Sequence, residues 1–157
     1  MQKIKLLIVE DHKVTQKLLD RSLHNDIFEK KIAENGQYAL DVYREWIPDV
    51  ILLDLMLPVI SGYNILKEIR TKDKDRYTAI IIVSSSMVKE DIMACAKLGI
   101  EGYFVKPVNF KEISHKVLEC LIKSSSERAT EAMELLKLLE DKPGSNVTNR
   151  ADLPEVG

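Results

Sequence analysis

Three carboxylates and one amine stand where apolar runs of the chain end. Glu10 and Asp11 follow Leu6–Val9, Asp54 follows Val50–Leu53, and Lys106, next to Pro107, follows Tyr103–Val105; Ser84 ends a further run, Ala79–Val83. Carboxylates gathered at one edge repel one another and raise each other's proton affinity. A hard divalent cation removes that cost, and Mg²⁺ takes oxygen ligands, usually one or two carboxylates with waters and phosphate oxygens. Asp11 and Asp54 suit direct coordination, and Glu10 could act through water. A backbone carbonyl just past Asp54, such as that of Met56, could complete the protein's share. A carboxylate can also attack phosphorus to form an aspartyl phosphate. The metal and a lysine would then stabilise charge on the transferring group.

Such residues meet only if the runs they follow are neighbouring strands. Leu6–Val9, Val50–Leu53 and Ala79–Val83 are apolar without alternation, as in parallel strands covered on both faces. A weaker run surrounds Ile32, and Tyr103–Val105 is short. Helical stripes lie between them: Val14, Leu18, Leu19 and Leu23; Ala39, Leu40, Tyr43 and Trp46; Ile65, Leu66 and Ile69; Val88, Ile92, Cys95 and Ala96; Phe110, Ile113, Val117 and Leu121. Asn35, Ser61, and Asn109 with Glu112 mark helix starts, and Gly99 marks a stop. Strand–helix alternation repeated five times predicts an α/β sheet wound on both sides with right-handed crossovers. Its ligand site forms outside the carboxyl ends of the strands, where strand order reverses.

The 157 residues predict one domain plus a tail. A net charge of −2, from 23 basic and 25 acidic residues, gives no electrostatic footprint for nucleic acid. Cys95 and Cys120 lack CxxC spacing and read as structural. His12, His24 and His115 have no metal-ligand spacing, and there is no Gly-rich phosphate loop or nucleophilic triad. The early apolar run is too short for a signal core or a membrane span, so the expected compartment is the cytoplasm. Bland readings compete at some positions: Ser84-Ser85-Ser86 also reads as a cap and turn, and Tyr103 also reads as core packing. The domain is expected over residues 1–123 and a tail or linker over 124–157. Ala129, Ala132, Leu136 and Leu139 form a stripe there. It either extends the fifth helix through Leu118, Ile122 and Ser125 as a long seam, or forms a short helix, about 127–140, that folds back or pairs with another chain. After Pro143-Gly144-Ser145 disorder is expected. With four basic against seven acidic residues, the tail has the wrong charge for DNA and is too short for a helix-turn-helix output.

Several stretches carry a family resemblance. Asp54-Leu55-Met56-Leu57-Pro58, then Ser61-Gly62-Tyr63, resembles the phosphorylation loop of bacterial response-regulator receiver domains. Leu7-Ile8-Val9-Glu10-Asp11 resembles their acidic pocket, Ile82-Val83-Ser84-Ser85 the end of their fourth strand, and Leu98 to Pro107 their fifth strand and its lysine. Asp54 lies 43 residues past Asp11, Ser84 a further 30, and Lys106 a further 22, which matches the family. The resemblance covers roughly residues 3 to 123. It implies a five-stranded parallel sheet of flavodoxin-like order 2-1-3-4-5 with five helices, beside the partly helical tail. It implies that Asp54 accepts a phosphoryl group from a sensor histidine kinase or a histidine phosphotransfer protein. Glu10 and Asp11 would form the Mg²⁺ pocket with Asp54 and the Met56 carbonyl. Lys106 would pair with the acceptor and then with the phosphoryl group. Ser84 would supply the hydroxyl that moves onto it, and Tyr103 the aromatic switch behind it. Lys106–Pro107 becomes a candidate cis peptide. Output would be a shape change at the fourth helix, fifth strand and fifth helix, where a protein target or a second copy binds, with no direct nucleic-acid or membrane binding and no enzymatic turnover. Glu10 replaces the family's more usual aspartate, Ser84 lacks a threonine methyl, and Met56 is apolar where a polar side chain would orient water. Alternatives are a receiver portion of a longer regulator with an enzymatic or DNA-binding output, a Mg²⁺-dependent aspartyl-phosphate phosphatase, and a flavin module. The phosphatase reading fits poorly, because Glu10-Asp11-His12-Lys13 does not match the DxDx(T/V) motif.

Overall fold

The computed structural model describes residues 2–141. Five strands form one parallel sheet: β1 (Ile4–Val9), β2 (Phe28–Ala33), β3 (Val50–Leu53), β4 (Ala79–Ser84) and β5 (Gly102–Val105). Their order is β2-β1-β3-β4-β5, as the family resemblance implies. The helices are α1 (Lys13–Ser22), α2 (Gly36–Trp46), α3 (Gly62–Lys67), α4 (Lys89–Leu98), α5 (Ile113–Ile122) and α6 (Ala129–Asp141). A π-turn over Glu68–Lys72 continues α3.

Strand side chains alternate between the two faces, and both faces are covered. Leu6, Ile8, Val50, Leu52, Ile81 and Val83 pack with α1, α5 and α6. Leu7, Val9, Ile51, Leu53, Ile80 and Ile82 pack with α2, α3 and α4. That explains the unbroken apolar runs of β1, β3 and β4. Each such side chain contributes about 1.5–3 kcal/mol on full burial. Edge strand β2 is different: Glu29 and Lys31 are exposed, and charge on an edge discourages pairing with another chain.

Local signals set several boundaries. Asn35 and Ser61 cap α2 and α3, accepting from the Tyr38 and Asn64 N–H groups. Gly99 ends α4 at a positive φ of 104°. The fifth helix departs from expectation. Asn109 does not cap it; its side chain accepts from the Lys111 N–H in a local turn, and α5 begins at Ile113, leaving Phe110 outside the helix but packed on the core. The α1 stripe also differs. Leu19 and Leu23 are buried, but Val14 is 61% exposed and Leu18 is exposed too, while Gln16 turns inward.

In the structure the helix of the tail folds back onto α5. Ser124 ends α5's direction: its hydroxyl donates to the Leu121 carbonyl, and Ser126 accepts from the Arg128 N–H. Helix α6 then runs back along α5, with Ala132 fully buried and Leu135, Leu136 and Leu139 packed beside it. Arg128 fixes its start, reaching the Gln2 and Lys3 carbonyls and Asp49 at the amino ends of β1 and β3. His115 in the first turn of α5 lies 3.8 Å from Glu140 near the end of α6. The expectation of disorder past Pro143 lies outside the described residues. Among the described residues no helix is long and apolar enough to cross a membrane.

Candidate functional site

The carboxyl ends of β1, β3, β4 and β5 deliver their polar residues to one place. Asp54 extends the ladder, its N–H donating to the Val9 carbonyl at 3.0 Å. Asp54 is buried, with Oδ1 accepting from the Met56 N–H at 3.1 Å and Oδ2 from Lys106 Nζ at 3.0 Å. Lys106 is anchored in turn by its own N–H on the Ser84 carbonyl. Its ammonium also donates to both carboxylate oxygens of Glu10, each at 3.0 Å. The Lys106–Pro107 peptide bond is cis.

One oxygen each from Glu10, Asp11 and Asp54 lies within 4.8 Å of the other two. Asp11 faces solvent, while Glu10 is 2% exposed. Burial, and next the hydrogen bond with Asp54, push the Glu10 carboxyl up to about 7, although Lys106 pulls it down. Burial alone would lower Lys106; its hydrogen bonds to Asp54 and Glu10 outweigh that and hold it above the ordinary lysine range. Three carboxylates facing one ammonium leave an excess of negative charge and an all-oxygen donor set. That is the environment a hard divalent cation stabilises.

Gly62 lets α3 start directly against this pocket. A Cβ there would sit 1.9 Å from the Asp54 carbonyl oxygen, and the Gly62 N–H donates to the Leu55 carbonyl. Met56, two residues past Asp54, is 70% exposed. Ser84 is fully buried, its Oγ accepting from the Ser86 N–H at 3.3 Å. The Tyr103 hydroxyl donates to the Ser86 carbonyl at 2.8 Å. Tyr103 and Ser84 thus hold the same loop between β4 and α4. Ser86 itself makes the turn into α4, donating to Asp91 and accepting from the Val88 N–H.

The sequence reading missed Gln16. It is buried, and its Nε2 donates to the Glu10 carbonyl at 2.5 Å. The one signal for it was a polar residue inside the first helix, six positions past Glu10. His12 stands just before α1 without a side-chain cap.

A model of the response regulator receiver domain family matches residues 6–118. The chain belongs to that family. Receiver domains are signalling modules, and in this one Glu10, Asp11, Asp54 and Lys106 lie together at the carboxyl edge of the sheet. The polar-differentiation response regulator DivK of Brucella anthropi is 34% identical over 104 residues, covering 66% of this chain and 85% of DivK. The transcriptional regulatory protein TrcR of Mycobacterium tuberculosis is 30% identical over 147 residues, covering 92% of this chain and 56% of TrcR. The chain spans 44% of the ycf27 regulator of Guillardia theta, so it matches about half the length of several such relatives. Among solved structures, the chemotaxis response regulator CheY4 of Vibrio cholerae shares the fold with a TM-score of 0.69 and 24% identity, over 76% of this chain and 99% of that one. The cyanobacterial phytochrome response regulator RcpA, solved as the phosphorylated protein, gives a TM-score of 0.65 at 27% identity over 74% of this chain and 89% of its own.

Proposed function

We propose that this receiver accepts a phosphoryl group on Asp54 from the phosphohistidine of a sensor kinase or a histidine phosphotransfer protein. The observation that carries the reading is Lys106 Nζ at 3.0 Å from Asp54, inside the acidic cluster of Glu10, Asp11 and Asp54. An Asp54 oxygen attacks phosphorus, the P–N bond breaks, and the imidazole leaves with the bonding pair. Lys106, already charged and in place, meets the negative charge that gathers on the phosphoryl oxygens, so little reorganisation is needed. Asp11, Asp54 and the Met56 carbonyl would hold Mg²⁺, with Glu10 acting through water, and the ion would supply charge neutralisation on the transferring group. Ser84 supplies a hydroxyl donor to a phosphoryl oxygen. Its movement draws on the Ser86 turn that Tyr103 grips, and so reaches the α4–β5–α5 surface where a protein target or a second copy binds. The phosphorylated form of RcpA, a relative by sequence and fold, supports this reading.

The receiver unit is residues 1–123; residues 124–157, beginning with α6 folded onto α5, are its tail or linker. The chain acts in the cytoplasm, without turnover on a free substrate and without touching nucleic acid itself. A second reading rests on length: because the chain spans about half of several regulators, it is the receiver portion of a longer protein whose output lies elsewhere. Both readings share one test. Incubation with a small acyl phosphate and Mg²⁺, followed by intact mass measurement, should add one phosphoryl group to the wild type and none to Asp54→Asn. Equal gain by Asp54→Asn would overturn the assignment.

A further inference from the structure

Gln16 lies in the first turns of α1 on a face whose other inward residues, Leu19 and Leu23, are apolar and buried. A carboxamide there is the costlier choice, since burial requires that its polar atoms find partners. Methionine would fill a similar space with no such demand. The partner of Gln16 is the Glu10 carbonyl, which accepts from Nε2 at 2.5 Å. The backbone N–H of Gln16 donates to the His12 carbonyl at 2.9 Å. The side chain therefore grips the peptide group that precedes Asp11, while the backbone bond is the ordinary first-turn bond of α1. On its other side Glu10 is tied to β2, its N–H donating to the Ala33 carbonyl at 3.0 Å. The short segment carrying both acids is fixed from two directions, although Asp11 itself faces solvent.

We infer that Gln16 is a positioning residue of the phosphoryl-transfer site: by clamping the Glu10 carbonyl its side chain sets the aim of the Glu10 and Asp11 carboxylates toward a divalent cation. The inference rests on the reading above that Glu10, Asp11 and Asp54 hold the metal. Groups that orient metal ligands without touching the ion raise affinity by holding the ligands in a binding-ready arrangement.

The test is Mg²⁺ titration by calorimetry on the full chain, without phosphodonor, alongside thermal melting. Gln16→Met should remain folded and weaken Mg²⁺ binding about tenfold. Ser114→Ala is the control for a merely structural role. Ser114 is another buried polar residue on the same face of the sheet, accepting from the His24 N–H and donating to the Ser22 carbonyl away from the acids. It should lower the melting temperature and leave Mg²⁺ affinity at the wild-type value. Unchanged affinity in Gln16→Met overturns the inference, and so does an equal loss in Ser114→Ala. If Gln16→Met does not fold, Gln16→Asn is read in the same way, because it keeps the amide but falls a methylene short of the Glu10 carbonyl. A wild type that takes up no Mg²⁺ overturns the metal reading itself and this inference with it, a result distinct from a difference confined to the variants.

Discussion

Glu10→Gln should stabilise the metal-free protein more and more as pH rises. Burial and the neighbouring Asp54 move the Glu10 carboxyl from 4.5 to about 7. Between those values the folded chain holds a proton that the unfolded chain releases, so stability falls as pH rises. Each tenfold difference in proton affinity is worth about 1.4 kcal/mol, so ionising Glu10 costs the fold ~3 kcal/mol. Glutamine keeps the shape and removes the charge. Guanidinium unfolding of both proteins in chelator, from pH 4.5 to about pH 8, isolates this group because most other titrations cancel in the difference. The variant should gain ~3 kcal/mol on the wild type across that window, with the gain levelling off above about pH 7, where both states are ionised. Saturating Mg²⁺ should shrink the gain, because a nearby cation stabilises the ionised carboxylate that burial disfavours. A difference that is level with pH, or that moves toward the wild type as pH rises, would refute the reasoning.

Further outcomes follow from other contacts. Met56→Asn, at the exposed position two residues past Asp54, should speed loss of the phosphoryl group about tenfold by orienting a water molecule, equivalent to ~1.4 kcal/mol of barrier; an unchanged decay rate would remove the idea. Tyr103→Phe deletes the hydrogen bond to the Ser86 carbonyl, costing about 1 kcal/mol. Amide exchange at Val88 should quicken, and unaltered protection there would count against the loop being held by Tyr103. Ala132→Asp places a carboxylate at a fully buried position in α6 and should destabilise the fold by at least ~2 kcal/mol. No change in the unfolding midpoint would mean that α6 does not rest on α5 in solution.

Most of the fold was legible because β1, β3 and β4 are buried on both faces, and unbroken apolar runs leave little choice of element. Strand β2 was faint because Glu29 and Lys31 face solvent at the sheet edge, so only Ile32 stood out. Helix α1 was misread because Val14 and Leu18 look like core residues, whereas the inward place went to Gln16; a hydrophobic stripe cannot reveal that a backbone carbonyl requires a donor. The Asn109–Glu112 pair promised a capping box, but Asn109 spends its side chain on the Lys111 N–H, a local competition that spacing cannot decide. In the tail, the apolar stripe of Ala132, Leu136 and Leu139 was visible in advance. Its direction was not, because that depends on Ser124 and Ser126 turning the chain and on Arg128 reaching residues more than a hundred positions away. The convergence of Asp11, Asp54 and Lys106 followed from a simple rule: parallel strands send their carboxyl ends to one edge. The twofold grip of Lys106 on Glu10 depends on side-chain reach, which spacing along the chain does not encode.

The central claim is that Asp54 is the residue that takes the phosphoryl group. Borohydride reduces an aspartyl phosphate to homoserine, so protein treated with acyl phosphate and Mg²⁺ can be trapped, digested and mapped by mass spectrometry. The account predicts homoserine at position 54 and at no other aspartate. Homoserine at a different aspartate, or a phosphoryl group that survives reduction as a serine, tyrosine or histidine adduct, would contradict it.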